Sequence, residues 1–351
     1  MNETRPRRTG ILSRCALSAA SCVLVLLVLE LGYRLFGPVI KFVEPTPQIP
    51  DPELGYSLKP NAARQYQGFD EWVEVRISSQ GLRDAEFGPK AQGELRVLVL
   101  GDSYAYGAEY NAPLLFPELL EQKLAQRLTG VKVSVLNAGV SSFGTFQEYG
   151  MLCRYGPAFQ PDVVVLQFCP NDLENNMKHR PEGIRALYES VQGVDRLERT
   201  LGSIARVSHL ARFIALKIRA DMQRRTTERL NIENHRAGKG RGVDYPQQLC
   251  LEFVDKIRTR SQELQAELVV LIIPFSMPGG EMPQATDTYS FLSRHCEESR
   301  IPWMSLPDAA ERSGRLWSQC IQFHLTRRGH EVVAEQLLPL VGRIFEAASS
   351  R

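Results

Sequence analysis

Five short runs of aliphatic and β-branched residues alternate with helix-length segments, and that alternation restricts the fold more than any other feature of the chain. The runs are LRVLVL (95–100), VKVSVL (131–136), DVVVLQF (162–168), ELVVLIIPF (267–275) and IPWMSL (301–306). Between them lie LFPELLEQKLAQRL and YPQQLCLEFVDKIRTRSQELQ, with apolar residues at helical spacing, and GHEVVAEQLLPLVGRIFEAA comes last as a closing helix. Strands alternating with helices predict an α/β protein: a parallel sheet covered on both faces, a three-layer α/β/α sandwich. In such sheets the chemistry collects at the carboxyl ends of the strands. A chain of 351 residues, 43% hydrophobic, is long enough for this domain and for additions to it.

The additions lie on the N-terminal side and in the middle. Arg5, Arg7, Arg8 and Arg14 precede an apolar run from Cys15 to Leu29, after which come Glu30 and Arg34. With Glu30 counted as a charge near the end, Ile11 to Phe36 is long enough to cross a membrane, and the leading arginines put the rest of the chain outside the cytoplasm. Residues 1–36 therefore read as a cytoplasmic tail and transmembrane anchor, with a cleaved signal peptide as the rival reading. Residues 37–94 carry Pro38, Pro45, Pro47, Pro50, Pro52 and Pro60 and read as an extended stem, with a small β element at EWVEVRIS. Residues 95–351 form the main domain.

Within that domain, residues 178–242 hold 15 Lys/Arg against 7 Asp/Glu. GSIARVSHLARFIALKIRADMQRR reads there as one basic amphipathic helix: a solvated face packed on the core, a lid, or a surface for anionic lipid or glycan. A net charge of +2 over the whole chain makes no case for a nucleic-acid partner, and phosphate-loop, zinc-type cysteine and RNA-binding motifs are missing from the sequence. Five cysteines lie outside the apolar run, without CxxC spacing, so free thiols and one or two disulfides are both open.

Four segments carry chemistry. GDSYAYG comes directly after the first run, so Ser103 stands at a strand end entering a helix, where its hydroxyl is held at the sheet rim and its N–H faces a developing oxyanion. NAGVSSFGTFQEY succeeds the second run, a small-residue loop whose N–H groups can approach a ligand. FCPNDLENN succeeds the third and offers the amide of Asn171 as a further donor. FHLTRRGH places His324 ahead of the last helix, where a base for Ser103 must stand, while His330 begins that helix and caps or packs.

VLGDSYAYG, VLNAGVSSFGTFQEY, FCPND and FHLTRRGHEVVAEQL together resemble the SGNH (GDSL-type) hydrolase superfamily, over roughly Arg96 to Phe345. The resemblance implies a flavodoxin-like sheet and hydrolysis of acyl esters or thioesters through an acyl-serine, without metal or organic cofactor. It implies Ser103 as nucleophile and first oxyanion donor, Ser142 and Asn171 as further donors, and His324 as base. Three positions depart from the family pattern. Ser142 stands for the oxyanion glycine, Cys169 for the glycine of the GxND block, and Ile321 for the aspartate of DxxH. The last leaves His324 without its usual carboxylate, which points to a Ser-His dyad oriented by Gln322, or to Asp308 reaching in. The function expected is an extracytoplasmic, membrane-anchored esterase acting on an acylated glycan, lipid or small ester. An O-acetyltransferase using the same site, and a catalytically weak glycan-binding module, are the alternatives.

Overall fold

The computed structural model describes residues 9–37, 47–178, 181–242, 244–274 and 286–349. Arg5, Arg7 and Arg8, the stem prolines Pro38 and Pro45, and Phe275 of the fourth run lie outside the described residues. The chain divides into two compact units, Met1–Pro45 with Gln192–Thr226, and Thr46–Val191 with Thr227–Arg351.

The larger unit contains a five-stranded parallel sheet. Its strands are β5 (Leu95–Leu100), β6 (Val133–Asn137), β7 (Val163–Phe168), β8 (Glu267–Ile272) and β9 (Trp303–Ser305), in the order β6-β5-β7-β8-β9. This is the flavodoxin-like order, with the topological switch between β5 and its two neighbours. Each of the five apolar runs becomes a strand. Alternate residues feed opposite faces. Leu98, Leu100, Leu166 and Ile272 join one apolar cluster with Leu152, Val254 and Leu292, while Val97, Val99, Val165 and Leu271 join the other with Phe116, Leu120 and Val333. The helices supplying those clusters are α3 (Phe116–Arg127) and α12 (Arg327–Ser349) on one face, and α4 (Thr145–Phe159), α8 (Tyr245–Glu263) and α9 (Thr286–Glu298) on the other. The remaining short helices of this unit are α2 (Ser103–Tyr106), α5 (Asn171–Lys178), α10 (Leu306–Arg312) and α11 (Trp317–Cys320).

Ahead of the sheet, part of the proline-rich stem is folded rather than extended. β1 (Gln48–Asp51) pairs with β2 (Gly55–Leu58), and β3 (Ala63–Gln67) with β4 (Trp72–Arg76), each antiparallel. Leu54, Tyr56, Leu58, Val73 and Val75 are buried in the same cluster as the sheet, so hydrophobic burial overrides the extended preference of the prolines. The described cysteines are all unpaired, and Cys169, Cys250, Cys296 and Cys320 are buried thiols.

The smaller unit holds α1 (Thr9–Phe36), which over Ser13–Phe36 is long and apolar enough to cross a membrane. It also holds adjoining parts of α6 (Pro181–Val207) and α7 (His209–Gly238). The single basic helix expected here is therefore two. Ser208 breaks it, its Oγ accepting from the N–H of Ala211 at 3.0 Å as an N-cap, and the side chain of Arg212 closes the end of α6 by donating to the carbonyls of Ala205 and Arg206.

Candidate active site

Strand β5 ends at Leu100, and Gly101 and Asp102 turn the chain into α2. A side chain at Gly101 has no room, since a Cβ there stands 2.5 Å from Oε1 of Gln167 on β7. Asp102 is fully buried and caps α2, its Oδ1 accepting from the N–H of Tyr104 at 3.0 Å. Its Oδ2 accepts from Nδ2 of Asn171 at 2.8 Å, and burial pushes its carboxyl above the usual range. One buried carboxylate thus joins the start of α2 to the Asn-Asp turn beyond β7, bringing Ser103 and Asn171 to one edge of the sheet. The bond uses one N–H of the Asn171 amide and orients the group; the amide has a second. Because α2 is a single turn, it offers individual N–H groups rather than the macrodipole of a long helix.

Ser142 lies on the loop beyond β6. Val140 N–H donates to the carbonyl of Gly101 at 3.0 Å, and Tyr56 Oη donates to the carbonyl of Ser141 at 2.7 Å, so this loop runs beside the start of α2. Ser142 adopts φ 65, the left-handed region that favours glycine, and there it retains a backbone N–H. Cys169 is buried, and its thiol pKa is pushed up by burial; the side chain of Tyr104 stands against it.

His324 stands in the loop between α11 and α12, where Ile321 pairs with Leu325 and the N–H of Gln322 donates to the carbonyl of His324 at 2.9 Å. Its Nε2 lies 2.9 Å from Oγ of Ser103, as the order of the motifs predicts. Its ring meets Tyr104 edge-on at 5.1 Å and Phe323 at 4.7 Å.

The expected partner of Nδ1 requires correction. Nδ1 lies 2.6 Å from Oε1 of Glu109, a residue that neither the spacing nor the family pattern marks. Gln322 is exposed and contributes only its backbone to the turn. Asp308 lies in the first turn of α10, where its carboxylate accepts from Oγ of Ser305, the N-cap, at 2.6 Å. Ile321, at the family's aspartate position, is buried in the apolar cluster instead. A Ser-His dyad is replaced by a continuous chain of hydrogen bonds, Ser103 to His324 to Glu109.

A dedicated scaffold holds Glu109. Gly107 ends α2 at φ 65, with no space for a side chain against Leu115, and the chain reverses toward His324. Arg83, 3% exposed, donates to the carbonyls of Tyr106 and Gly107, and to that of Tyr110 at 2.6 Å. Tyr66 on β3 donates to the carbonyl of Ala108 at 2.5 Å, and Tyr110 donates to Asp70 at 3.1 Å. Asn111 accepts from the N–H of Glu74 on β4 at 2.9 Å. The small β element at EWVEVRIS, a lead-in as far as sequence shows, grips the loop that carries the carboxylate.

His330 packs, as expected. It is buried on the inner face of α12, and its Nδ1 accepts from the N–H of Phe116 at 3.2 Å. Burial and the charge of Arg83 push its pKa down to about 3. The unfolded chain takes up a proton near pH 6.5 that the folded chain refuses until about pH 3, so stability is full at neutral pH and is lost as pH falls between those values. Relative to His330→Phe, the wild type is expected to lose roughly 2 kcal/mol of unfolding free energy between pH 7 and pH 5. Denaturant titration of both proteins in detergent at the two pH values checks this; parallel losses in the two would show that His330 is not the source.

The GDSL-like lipase/acylhydrolase family model matches residues 99–332, more than half of the chain. No functionally curated protein matches it. Similar solved structures include TesA (15% identity, 71% of this chain and 99% of that one, TM-score 0.41). They also include a catalytic mutant of the acetylxylan esterase Axe2 from Geobacillus stearothermophilus (12%, 74% and 97%, 0.42). A third is the psychrotrophic esterase EstA from Pseudoalteromonas sp. (12%, 71% and 97%, 0.39). The chain belongs to the GDSL-like lipase/acylhydrolase family, and is a hydrolase of ester bonds.

Proposed function

We propose that the protein is a serine esterase anchored by α1, which removes acyl groups from an extracytoplasmic glycan or lipid by a Ser103-His324-Glu109 triad. The observation that carries this reading is the unbroken line from Oγ of Ser103 to Nε2 of His324 at 2.9 Å, and from Nδ1 to Glu109 at 2.6 Å. Glu109 holds the proton on Nδ1, which leaves Nε2 free to accept from the serine hydroxyl. Ser103 Oγ then bonds to the ester carbonyl carbon as its proton passes to Nε2, and the negative charge of Glu109 stabilises the imidazolium. The carbonyl oxygen becomes an oxyanion, met by the N–H groups of Ser103 and Ser142 and the second N–H of Asn171. When the C–O bond breaks, Nε2 returns the proton to the leaving alcohol. Water, deprotonated by the same nitrogen, releases the acid and restores Ser103.

The reading of a non-catalytic binding module rests on a histidine without a carboxylate and on Ser142 and Cys169 in the place of glycines; Glu109 beside His324 weighs against the first. The placement outside the cytoplasm is supported by Arg14 ahead of the apolar run from Cys15, and the crossing by the length of Ser13–Phe36. A fluorophosphonate probe applied to the full chain in detergent is expected to label wild type and to leave Ser103→Ala unlabelled. Wild type that is folded yet unlabelled would sink the proposal of an activated serine.

A further inference from the structure

Glu30 is the one acidic residue of the apolar helix α1, and it is fully engaged by the turn between α6 and α7. Its carboxylate accepts from Oγ of Ser208 at 2.8 Å and from the N–H groups of His209 and Leu210, each at 2.9 Å. Arg34, one helical turn along, pairs with Glu30 at 2.7 Å and donates to the carbonyl of Val207 at 2.8 Å. The rings of Tyr33 and Phe213 meet at a tilt, 5.2 Å between centroids. Glu30 thereby caps the N-terminus of α7 and Arg34 the C-terminus of α6, the charge signs that helix ends favour. A carboxylate with four donors is one that a largely apolar helix tolerates near its end.

The turn and its flanks also present exposed apolar side chains. Val207 is 70% exposed, Ile204 51% and Ile214 43%, on a segment, 192–226, that carries eight Lys/Arg against three Asp/Glu. Glu30 lies six residues before Phe36, about 9 Å from the end of the span at the helical rise. That is the depth at which interfacial helices bury their apolar face, with basic side chains reaching the headgroups.

We propose that the α6–α7 turn is seated in the outer interface of the same bilayer that α1 crosses, with Ile204, Val207 and Ile214 among the acyl chains and the flanking arginines on acidic phospholipid headgroups. The basic segment is a membrane foot. The proposal rests on α1 being a span, and the experiment separates the two.

Full chain is reconstituted into vesicles of phosphatidylcholine and phosphatidylglycerol containing lipids brominated near the headgroup or deep in the chain. Fluorescence of Val207→Trp and of Leu26→Trp is read against the wild-type background of three tryptophans. Val207→Trp is expected to be quenched roughly twofold by the shallow bromines, and Leu26→Trp by the deep ones. Quenching at position 26 with none at position 207, in a chain that still hydrolyses ester at the wild-type rate, overturns the proposal and leaves the span. Quenching at neither position removes the span, and the proposal with it.

Discussion

Glu109→Gln is expected to lower kcat for ester hydrolysis by about 10³–10⁴-fold, with KM nearly unchanged. The amide is the size of the carboxylate, so the loop keeps its shape. It carries no charge for the imidazolium that forms as Ser103 attacks, and its NH₂ turned toward Nδ1 selects the tautomer that places the proton on Nε2. Glu109→Asp shortens the reach to His324, which stands 2.6 Å away, and recovers only part of the rate. The controls are Gln322→Ala and Asp308→Ala, which are expected to hold kcat within about twofold, since neither side chain meets the ring. Asp308→Ala leaves the Ser305 cap of α10 in place and loses the hydrogen bond from its hydroxyl, a stability change of about 1 kcal/mol. A folded Glu109→Gln enzyme at the wild-type rate would remove Glu109 from the triad.

Arg83→Met is expected to destabilise the fold by about 3–5 kcal/mol and, in the fraction that folds, to lower kcat by about 10²-fold. The guanidinium is buried and satisfies three carbonyls of the segment from Tyr106 to Tyr110; methionine fills the volume and satisfies none. Burial also lowers the pKa of Arg83, and three carbonyl acceptors compensate the cost of holding its charge inside. The loss of rate comes from position. A shift of about 1 Å in Glu109 is enough to misalign the histidine. Arg83→Lys restores charge but reaches fewer carbonyls, and is expected to fall between. Denaturant midpoints and kcat with KM, measured on the same samples, separate the two effects. Loss of stability with full kcat would show that Arg83 only braces the fold.

The sheet was legible because each strand is a compact apolar run, which marks it for burial whichever helices cover it. Ser103 and Asn171 were legible because they follow the ends of β5 and β7, and His324 because it stands just ahead of the last helix, the three read together as one family pattern. Glu109 was not, for a physical reason. It reaches His324 only because α2 stops after one turn and Gly107 reverses the chain, and a glutamate in GAEYN otherwise reads as a solvated loop residue. The signal that could have found it was the GAEYN loop itself: an acid flanked by a helix-ending glycine, an aromatic and an asparagine, directly after the nucleophile. Ser208 shows the same limit. A serine inside an amphipathic pattern marks a cap only once a partner such as Glu30 makes the break favourable.

Nucleophile and carboxylate here belong to one stretch of backbone, GDSYAYGAE, whereas the histidine arrives alone on the last loop. The stretch supplies both groups, while Arg83 and Tyr66, from outside it, set its shape. Exchange of the C-terminal segment with that of a relative carrying DxxH would install a second acid beside a ring already partnered, and the two carboxylates would compete for one Nδ1–H. For finding other chains of this kind, the informative pattern is G-D-S with a glutamate six residues after the serine, together with a histidine segment that lacks aspartate.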